Sequence, residues 1–439
     1  MNGGRTLFSG TNRDQWTQLK LNDLCVHITS GGTPSRRVPT YYIDGVYPWV
    51  KTQELCDTWI NDTEEHITPE AIAQSSAKIL PKNTVLVAMY GATVGKLGLL
   101  RQPMTCNQAC CALIVDDQKA DYRFIFYHLL QDRDRLKNLA TGAAQQNLSG
   151  EVIKSLKFWI PPLPEQRRIA HILGTLDDKI ENNRKTAKTL EAMAQAIFKS
   201  WFVDFDPVRA KMAGESRESI CKRLKLTPEI LDLFPDRLVD SELGEIPEGW
   251  SYSRLGDVAD VNWGNTRVTK RFYVNQGYLA YSATGPDGFL PYYEHDHVGV
   301  VVSAIGANSG YTWLALGKWS TIKNTIRFWS DSADMNTEYL YLATHNINFW
   351  PLRGSAQPFI SQTDARNTKI LHPSKNLAKV FGESASKLFQ VVHQKERKSQ
   401  YLIHLRDTLL PKLISGEIRV SDAQAVVDTT ANASKLFHD

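Results

Sequence analysis

The sequence predicts an α+β protein in which two tandem-repeated mixed α/β domains are joined by two long helices. Three observations predict it. The two halves are collinearly self-similar; each half carries a Gly-, Thr-, Asn- and aromatic-rich segment with short β-like runs; and each such segment is followed by a helical seam. At 439 residues, 42% apolar and 22% charged, the chain is ordinary globular material and not disordered or collagenous. A scale of ~150 residues per domain suggests about three units.

The repeat is legible in three blocks. Trp16, Leu21, Asp23 and Leu24 are matched 234 residues on by Trp250, Leu255, Asp257 and Val258. Val85-Leu-Val-Ala-Met-Tyr-Gly91-Ala92 lines up with Val300-Val-Val-Ser-Ala-Ile-Gly306-Ala307 at an offset of 215, and Gly95 then matches Gly310. Gly142-Ala-Ala144-Gln145 matches Gly354-Ser-Ala356-Gln357 at 212, an offset that Ser149, Lys157 and Pro161 keep with Ser361, Lys369 and Pro373. Offsets that drift slowly are what a tandem duplication leaves once surface loops gain and lose residues.

In order along the chain, residues 1–160 form the first mixed domain and residues 161–246 the first helix with a central linker. Residues 247–373 form the second mixed domain, 374–420 the second helix and 421–439 a polar, poorly ordered tail. Short β-like runs at residues 84–89 and 298–303 mark the two mixed domains. Pro161, Pro162 and Pro164 punctuate the start of the first helix, where Glu165 suits the positive end of the helix dipole. Its seam runs through Leu173, Leu176, Ile180, Asn183, Ala187, Leu190, Ala194, Ile197 and Trp201 at spacings of three and four, a heptad pattern. Residues 173–202 would make a rod about 45 Å long at ~1.5 Å per residue. The second seam is looser and uses Leu388, Val392, Leu402, Leu405, Leu409 and Leu413. Both turn polar mid-length, at residues 181–188 and 393–400, and the duplication supplies each with a matched partner, so the two helices are expected to pair as a coiled coil. Packing of each helix on its own domain is the other reading. Residues 203–248 read as a helical linker with a small apolar cluster of its own.

No catalytic constellation is visible. Gly91-Ala-Thr-Val-Gly95-Lys96 has three residues between its glycines where a phosphate-binding loop has four, and Leu97 stands where that loop has Ser or Thr, so it reads as a turn between strands. Cys106, Cys110 and Cys111, like His295 and His297, lack a second half at metal-ligand spacing. Asp204-Phe-Asp206-Pro207 has the wrong order for an adenine-methyltransferase motif, and no glycine-rich cofactor loop accompanies it. The six cysteines form no disulfide framework, the first 14 residues contain no signal-peptide core, and the apolar run at residues 298–307 is too short for a bilayer. A cytoplasmic protein without membrane contact is expected.

What the loops do contain is chemistry that reads base edges and holds phosphate. The first half offers Thr33, Ser35, Arg36, Lys51, Thr93, Lys96, Asn107, Gln108, Gln145, Gln146 and Asn147. The second offers Asn265, Arg267, Tyr281, Asn308, Lys323, Asn324 and Gln357. Each alone also reads as a turn former or an ordinary surface side chain. Together they argue for DNA, because the halves match in scaffold positions and differ here: Thr93-Val94 faces Asn308-Ser309, and Gln146-Asn147 faces Pro358-Phe359. The net charge of +4 makes no polycation, so a large phosphate footprint would be shared with partner subunits.

Nearly the whole chain resembles the specificity subunit of type I restriction-modification enzymes. The most specific pieces are Ile160-Pro-Pro-Leu-Pro-Glu-Gln-Arg-Arg-Ile-Ala170 leading into Leu176-Asp-Asp-Lys-Ile180, and Ser200-Trp-Phe-Val-Asp-Phe-Asp-Pro-Val-Arg209. Asp240-Ser-Glu-Leu-Gly-Glu-Ile-Pro-Glu-Gly-Trp250 and Leu410-Pro-Lys-Leu-Ile-Ser-Gly-Glu-Ile-Arg419 complete them. Gly91-Ala-Thr-Val-Gly-Lys96 and Asn107-Gln108 are also similar to family patterns. The second half departs from both, and has His372-Pro-Ser-Lys-Asn-Leu377 in place of Pro-Pro-Leu-Pro-Glu-Gln. The resemblance implies two target-recognition domains on helices that pair antiparallel, giving the chain a pseudo-two-fold axis. It implies that each domain reads half of a bipartite, asymmetric site in double-stranded DNA, with the helices as a ruler. The implied partners are two methyltransferase subunits and up to two restriction subunits. S-adenosylmethionine, ATP and Mg would act in those partners; no cofactor, metal or catalytic residue is expected in this chain. A DNA-modifying enzyme with its own active site, a fused methyltransferase or nuclease, is the alternative.

Overall fold

The computed structural model describes residues 15–140, 147–330 and 335–433, and the side chains among them except at 347 and 427–433. The chain divides into two compact units, one from residues 1–182 with 398–439 and the other from residues 183–397.

In the first unit the strands are β1 (Thr17–Lys20), β2 (Cys25–Ser30), β3 (Tyr47–Val50), β4 (Thr58–Ile60), β5 (His66–Ile67), β6 (Val85–Ala88), β7 (Leu97–Leu100), β8 (Thr105–Cys106), β9 (Cys110–Val115) and β10 (Lys157–Ile160). Its short helices are α1 (Pro69–Ala73), α2 (Tyr122–Gln131), α3 (Arg133–Ala140) and α4 (Gly150–Ser155), and the long α5 (Leu163–Phe202) begins here. A five-stranded sheet has the order β2-β9-β6-β7-β4, and a three-stranded one the order β5-β3-β8; β1 pairs with β10.

The second unit opens, after α5, with α6 (Asp206–Met212), α7 (Arg217–Leu224), α8 (Pro228–Leu231) and a hairpin of β11 (Leu238–Ser241) and β12 (Gly244–Pro247). There follow β13 (Ser251–Arg254), α9 (Leu255–Val258), β14 (Asn262–Trp263), β15 (Tyr278–Ser282), β16 (Gly285–Leu290), β17 (His295–Asp296), β18 (Gly299–Ser303), β19 (Thr312–Ala315), β20 (Lys318–Thr321) and β21 (Thr325–Phe328). Then come α10 (Thr337–Thr344), α11 (Gln362–Asn367), β22 (Lys369–His372) and the start of the long α12 (Lys375–Ser415), whose last turns, with α13 (Val420–Ala433), belong to the first unit. The sheets are β14-β21-β18-β19 and β16-β15-β20-β17, and β13 pairs with β22.

The duplication is thus visible strand by strand. β2-β9-β6-β7 and β14-β21-β18-β19 have the same order and are antiparallel throughout. In the other sheet of each unit β3 runs parallel to β8 as β15 does to β20. Caps repeat as well. Asp121 and Asn336 accept the first amides of α2 and α10, while Ser149 and Ser361 do so for α4 and α11. Each such cap is worth roughly 1 kcal/mol. The turn at Gly91–Thr93 links β6 to β7, with Gly91 and Gly95 at φ +68° and +78°; Gly306 and Gly310, at +108° and +94°, serve the same turn in the second unit.

Both cores are apolar where the pattern requires. Val85, Val87, Leu97, Leu113, Phe124 and Phe158 are buried in one, and Val300, Val302, Ile326, Phe328, Tyr339 and Phe381 in the other. Each such side chain contributes roughly 1.5–3 kcal/mol on leaving water. Leu173, Leu176 and Ile180 of α5 share the first core with Leu402, Leu405, Leu409 and Leu413 of α12. In the second core Ala194, Phe198, Trp201 and Phe202 of α5 share a cluster with Leu377, Phe381, Ala385 and Phe389 of α12. Leu190, Ile197 and Leu388 are half-buried, and Val392 is buried.

Three expectations need correction. α5 starts among the prolines and has 40 residues, so the rod is longer than the 30 residues counted from Leu173: Pro164 fits a first helical turn where no amide donor is needed, and Gln166, Ile169 and Ala170 carry the buried face back from Leu173. The linker has no separate cluster: Phe205, Val208, Ile220, Leu231 and Phe234 belong to the second unit's core. Part of the polar tail is helical, for α13 buries Ala423 in the first core.

Candidate nucleic-acid interface

In the first unit, parallel β3 and β8 end side by side, with Val50 opposite Cys106 and the Asn107 amide donating to the Val50 carbonyl at 2.9 Å. This puts Lys51 next to Asn107-Gln108. The Gly32 amide donates to Cys106 O at 2.9 Å, and a Cβ on Gly31 would collide with the Cys106 and Asn107 carbonyls, so the chain passes here only as glycine. Thr33, just beyond, hydrogen-bonds through Oγ1 to Gln108 Oε1. The Met89 amide reaches Ala109 O at 2.8 Å and Leu148 N reaches Met89 O at 2.9 Å, drawing the Gly91–Thr93 turn and Asn147 to the same edge. Five of the expected residues, Thr33, Lys51, Asn107, Gln108 and Asn147, therefore converge by main-chain bonding.

Charge is organised around carboxylates. Arg36 forks onto Glu65 with two bonds of 2.7 Å and lies over the rings of Tyr42 and Trp49, at 4.1 and 5.1 Å. Lys51 Nζ reaches Glu64 at 2.7 Å and Glu65 at 3.4 Å. The Arg36 hydrogen bonds, followed by the charges of Arg36 and Lys51, outweigh desolvation and hold the Glu65 carboxyl down to about 2. Asn107 Oδ1 is buried and meets no donor among the described residues. Ser35 is exposed and accepts from the Arg37 amide. Thr93 donates to Tyr90 O at 3.3 Å, and Lys96 lies 3.4 Å from Asp57, which also takes Arg133, so Lys96 helps tie the turn to the body of the unit. Gln145 and Gln146 lie outside the described residues.

The second unit repeats the edge with other side chains. The Ile322 amide donates to Tyr281 O at 2.9 Å, as Asn107 does to Val50, which makes Lys323 the counterpart of Gln108 and Ser282 that of Lys51. The bridges Tyr90–Asn147 and Ile305–Phe359 make Phe359 the counterpart of Asn147. Lys323 is exposed, and Asn324 turns the chain at φ +70°. A cavity of about 340 Å³ opens between Thr269, Lys270, Arg271, Ser282, Thr284, Lys323 and Asn324. Asn265 donates to Glu294 at 2.6 Å and accepts the Arg267 amide at 3.1 Å; Arg267 itself is exposed. Asn308 is half-buried beside the Gly306 turn and Gln357 is exposed. Tyr281 must be removed from the candidates. It is a core residue, 4% exposed, its hydroxyl donating to Leu314 O, because the inward face of β15 packs on Trp319 and Val301.

His295 and His297 pack against Trp319 and Trp329, and burial pushes His295 down to about 4. Among the described residues no group of three or more His, Cys, Asp or Glu is placed to hold a metal ion, and no helix is long and apolar enough to cross a membrane.

The type I restriction modification DNA specificity domain matches this chain twice, over residues 13–192 and 247–403. The chain belongs to that family. The two matches contain the two edges just described, and the family domain in each case runs on into a long helix. Among relatives, the MjaIX specificity subunit of a type I restriction enzyme from Methanocaldococcus jannaschii is 24% identical, covering 93% of this chain and 94% of that protein. The HindI specificity subunit from Haemophilus influenzae is 28% identical over 61% of this chain and 70% of its own. The crystal structure of a type I S subunit from M. genitalium shares the fold at a TM-score of 0.60, with 19% identity, 93% of this chain and 98% of that one covered.

Within the specificity domains, sequence reasoning missed Tyr42, Glu64 and Glu65, which hold Arg36 and Lys51, Glu294, which holds Asn265, and the linked Lys270, Tyr273, Thr284 and Asp287 beside the Lys323 cavity. Continuing the repeat would have found one pair, since Tyr42 and Tyr47 recur at an offset of 231 as Tyr273 and Tyr278.

Proposed function

We propose that the chain is the non-catalytic DNA-recognition subunit of a type I restriction-modification complex, each specificity domain reading one half of a bipartite, asymmetric target in double-stranded DNA. The observation that carries this is a shared backbone edge with exchanged side chains: Gln108 against Lys323, Lys51 against Ser282, Asn147 against Phe359. Amides grip adenine and cations grip guanine or phosphate, so one scaffold armed differently reads two different sequences.

α5 and α12 form the antiparallel coiled coil that spaces the two readers. Supporting this, Arg406 of α12 binds Asp177 of α5 at 2.7 Å, while toward the other end of α5 the Phe202 and Phe381 rings lie 4.9 Å apart. One residue number rises as its partner's falls. A 40-residue helix is about 60 Å long. In this reading the chain scaffolds two methyltransferase subunits and up to two restriction subunits in the cytoplasm. S-adenosylmethionine, ATP and Mg are bound by those partners and not by this chain.

Long-read methylation mapping of host DNA, with the gene intact and deleted, tests the reading. A bipartite adenine-methylation motif that vanishes on deletion is expected. A motif that persists without the gene, or one that is continuous and palindromic, would overturn it.

A further inference from the structure

Each specificity domain carries a carboxylate at the same station. β5 and β16 lie antiparallel to β3 and β15, with Tyr47 opposite Ile67 and Tyr278 opposite Leu290. Three residues before those partners stand Glu64 and Asp287; in the first domain the carboxylate that gathers both cations is the next residue, Glu65, which receives Arg36 and Lys51. Asp287 receives Lys270 at 2.5 Å, Ser282 and the Tyr273 hydroxyl at 2.8 Å each, and Thr284. Lys51 and Ser282 are themselves counterparts, so the two networks repeat an arrangement and not a set of residues.

Stability alone does not explain the repetition. The Arg36 and Lys270 side chains are 52% and 56% exposed and their carboxylates 29% and 25%, so solvent screens both pairs, and an isolated pair this open contributes only ~0–1 kcal/mol; the fork and the four-donor network exceed that chiefly by fixing geometry. A carboxylate beside these loops also repels a polyanion. A phosphate clamp works with a mobile lysine, whereas reading a base edge needs donors fixed in direction. Four donors on one carboxylate, or a guanidinium forked onto one, supply that fixity. Glu65 and Asp287 are held down to about 2 by the donors they accept, so both anchors stay charged well into acid.

We propose that Glu65 and Asp287 are specificity-determining positioning residues, each fixing the donors of its own domain for base-edge reading in its own half-site. This rests on the reading of these edges as the DNA interface.

The test uses the full chain assembled with its methyltransferase subunit, the wild-type target duplex and duplexes carrying each single-base change. Glu65→Gln should lower discrimination against wrong bases in the first domain's half-site by about 5- to 150-fold, the equivalent of a bidentate base contact, and leave the other half-site unchanged. Asp287→Asn should do the reverse. Arg36→Lys, which keeps the charge and loses the fork, should reproduce Glu65→Gln even if the latter folds poorly. Discrimination unchanged in both half-sites, with the motif intact, would overturn the proposal and leave the DNA reading standing. So would equal loss at both half-sites accompanied by a lowered melting temperature. A wild-type complex with no bipartite motif would overturn the reading itself, and the proposal with it.

Discussion

Gln108 and Lys323 hold one backbone station in the two specificity domains, one an amide and the other an ammonium. Their truncations should therefore differ in kind. Gln108→Ala should cost ~1–3 kcal/mol against one base of one half-site, while Lys323→Ala should lower the slope of log affinity against log salt by about 1. Fluorescence anisotropy of the assembled complex over a salt series separates the two, and identical behaviour would contradict their assignment. At this scale the sequence was partly legible. Asn107, Gln108 and Thr33 stand out because Gly, Thr and Asn gather where the chain turns tightly, and the turn brings them together. Tyr281 misled because a hydroxyl suggests surface, yet its strand alternation points it at Trp319. Glu65 and Asp287 were invisible, since a carboxylate reads as unfavourable for DNA until the cation it holds is seen.

The long helices were the most legible elements. Positions 173, 176, 180, 187 and 194 of α5 are buried at spacings built from three and four, as a heptad requires. Their ends were less so. The prolines mark the start of α5, but its apolar seam was read only from Leu173, and α13 hides because its apolar residues are mostly alanine and leave only a weak stripe. If α5 and α12 pair as proposed and set the spacing, inserting one heptad into both should lengthen the unread spacer and preserve both half-sites. Methylation mapping of the variant reads this directly; a constant spacer with altered half-sites would refute the ruler.

For the whole molecule, the duplication predicts modularity. Exchanging residues 16–160 for another recognition domain should change one half of the methylated motif and spare the other, and simultaneous loss of both would count against it. The tandem repeat was readable from three short blocks because strand cores, and turns whose glycines sit at positive φ, tolerate little change. The division of the chain was not, because it falls inside both helices, where nothing in the local sequence marks a boundary.

That division has a temporal side. The second unit is one unbroken stretch, residues 183–397, and all of its core emerges in sequence. The first begins to appear earlier, yet Leu402, Leu405, Leu409, Leu413, Ile418 and Ala423 complete its core. During synthesis the unit that starts to leave the ribosome before the other is thus the later of the two to be fully enclosed. For the time it takes to translate more than half the chain, the face that will receive α12 stays open, and a chaperone has its longest opportunity there.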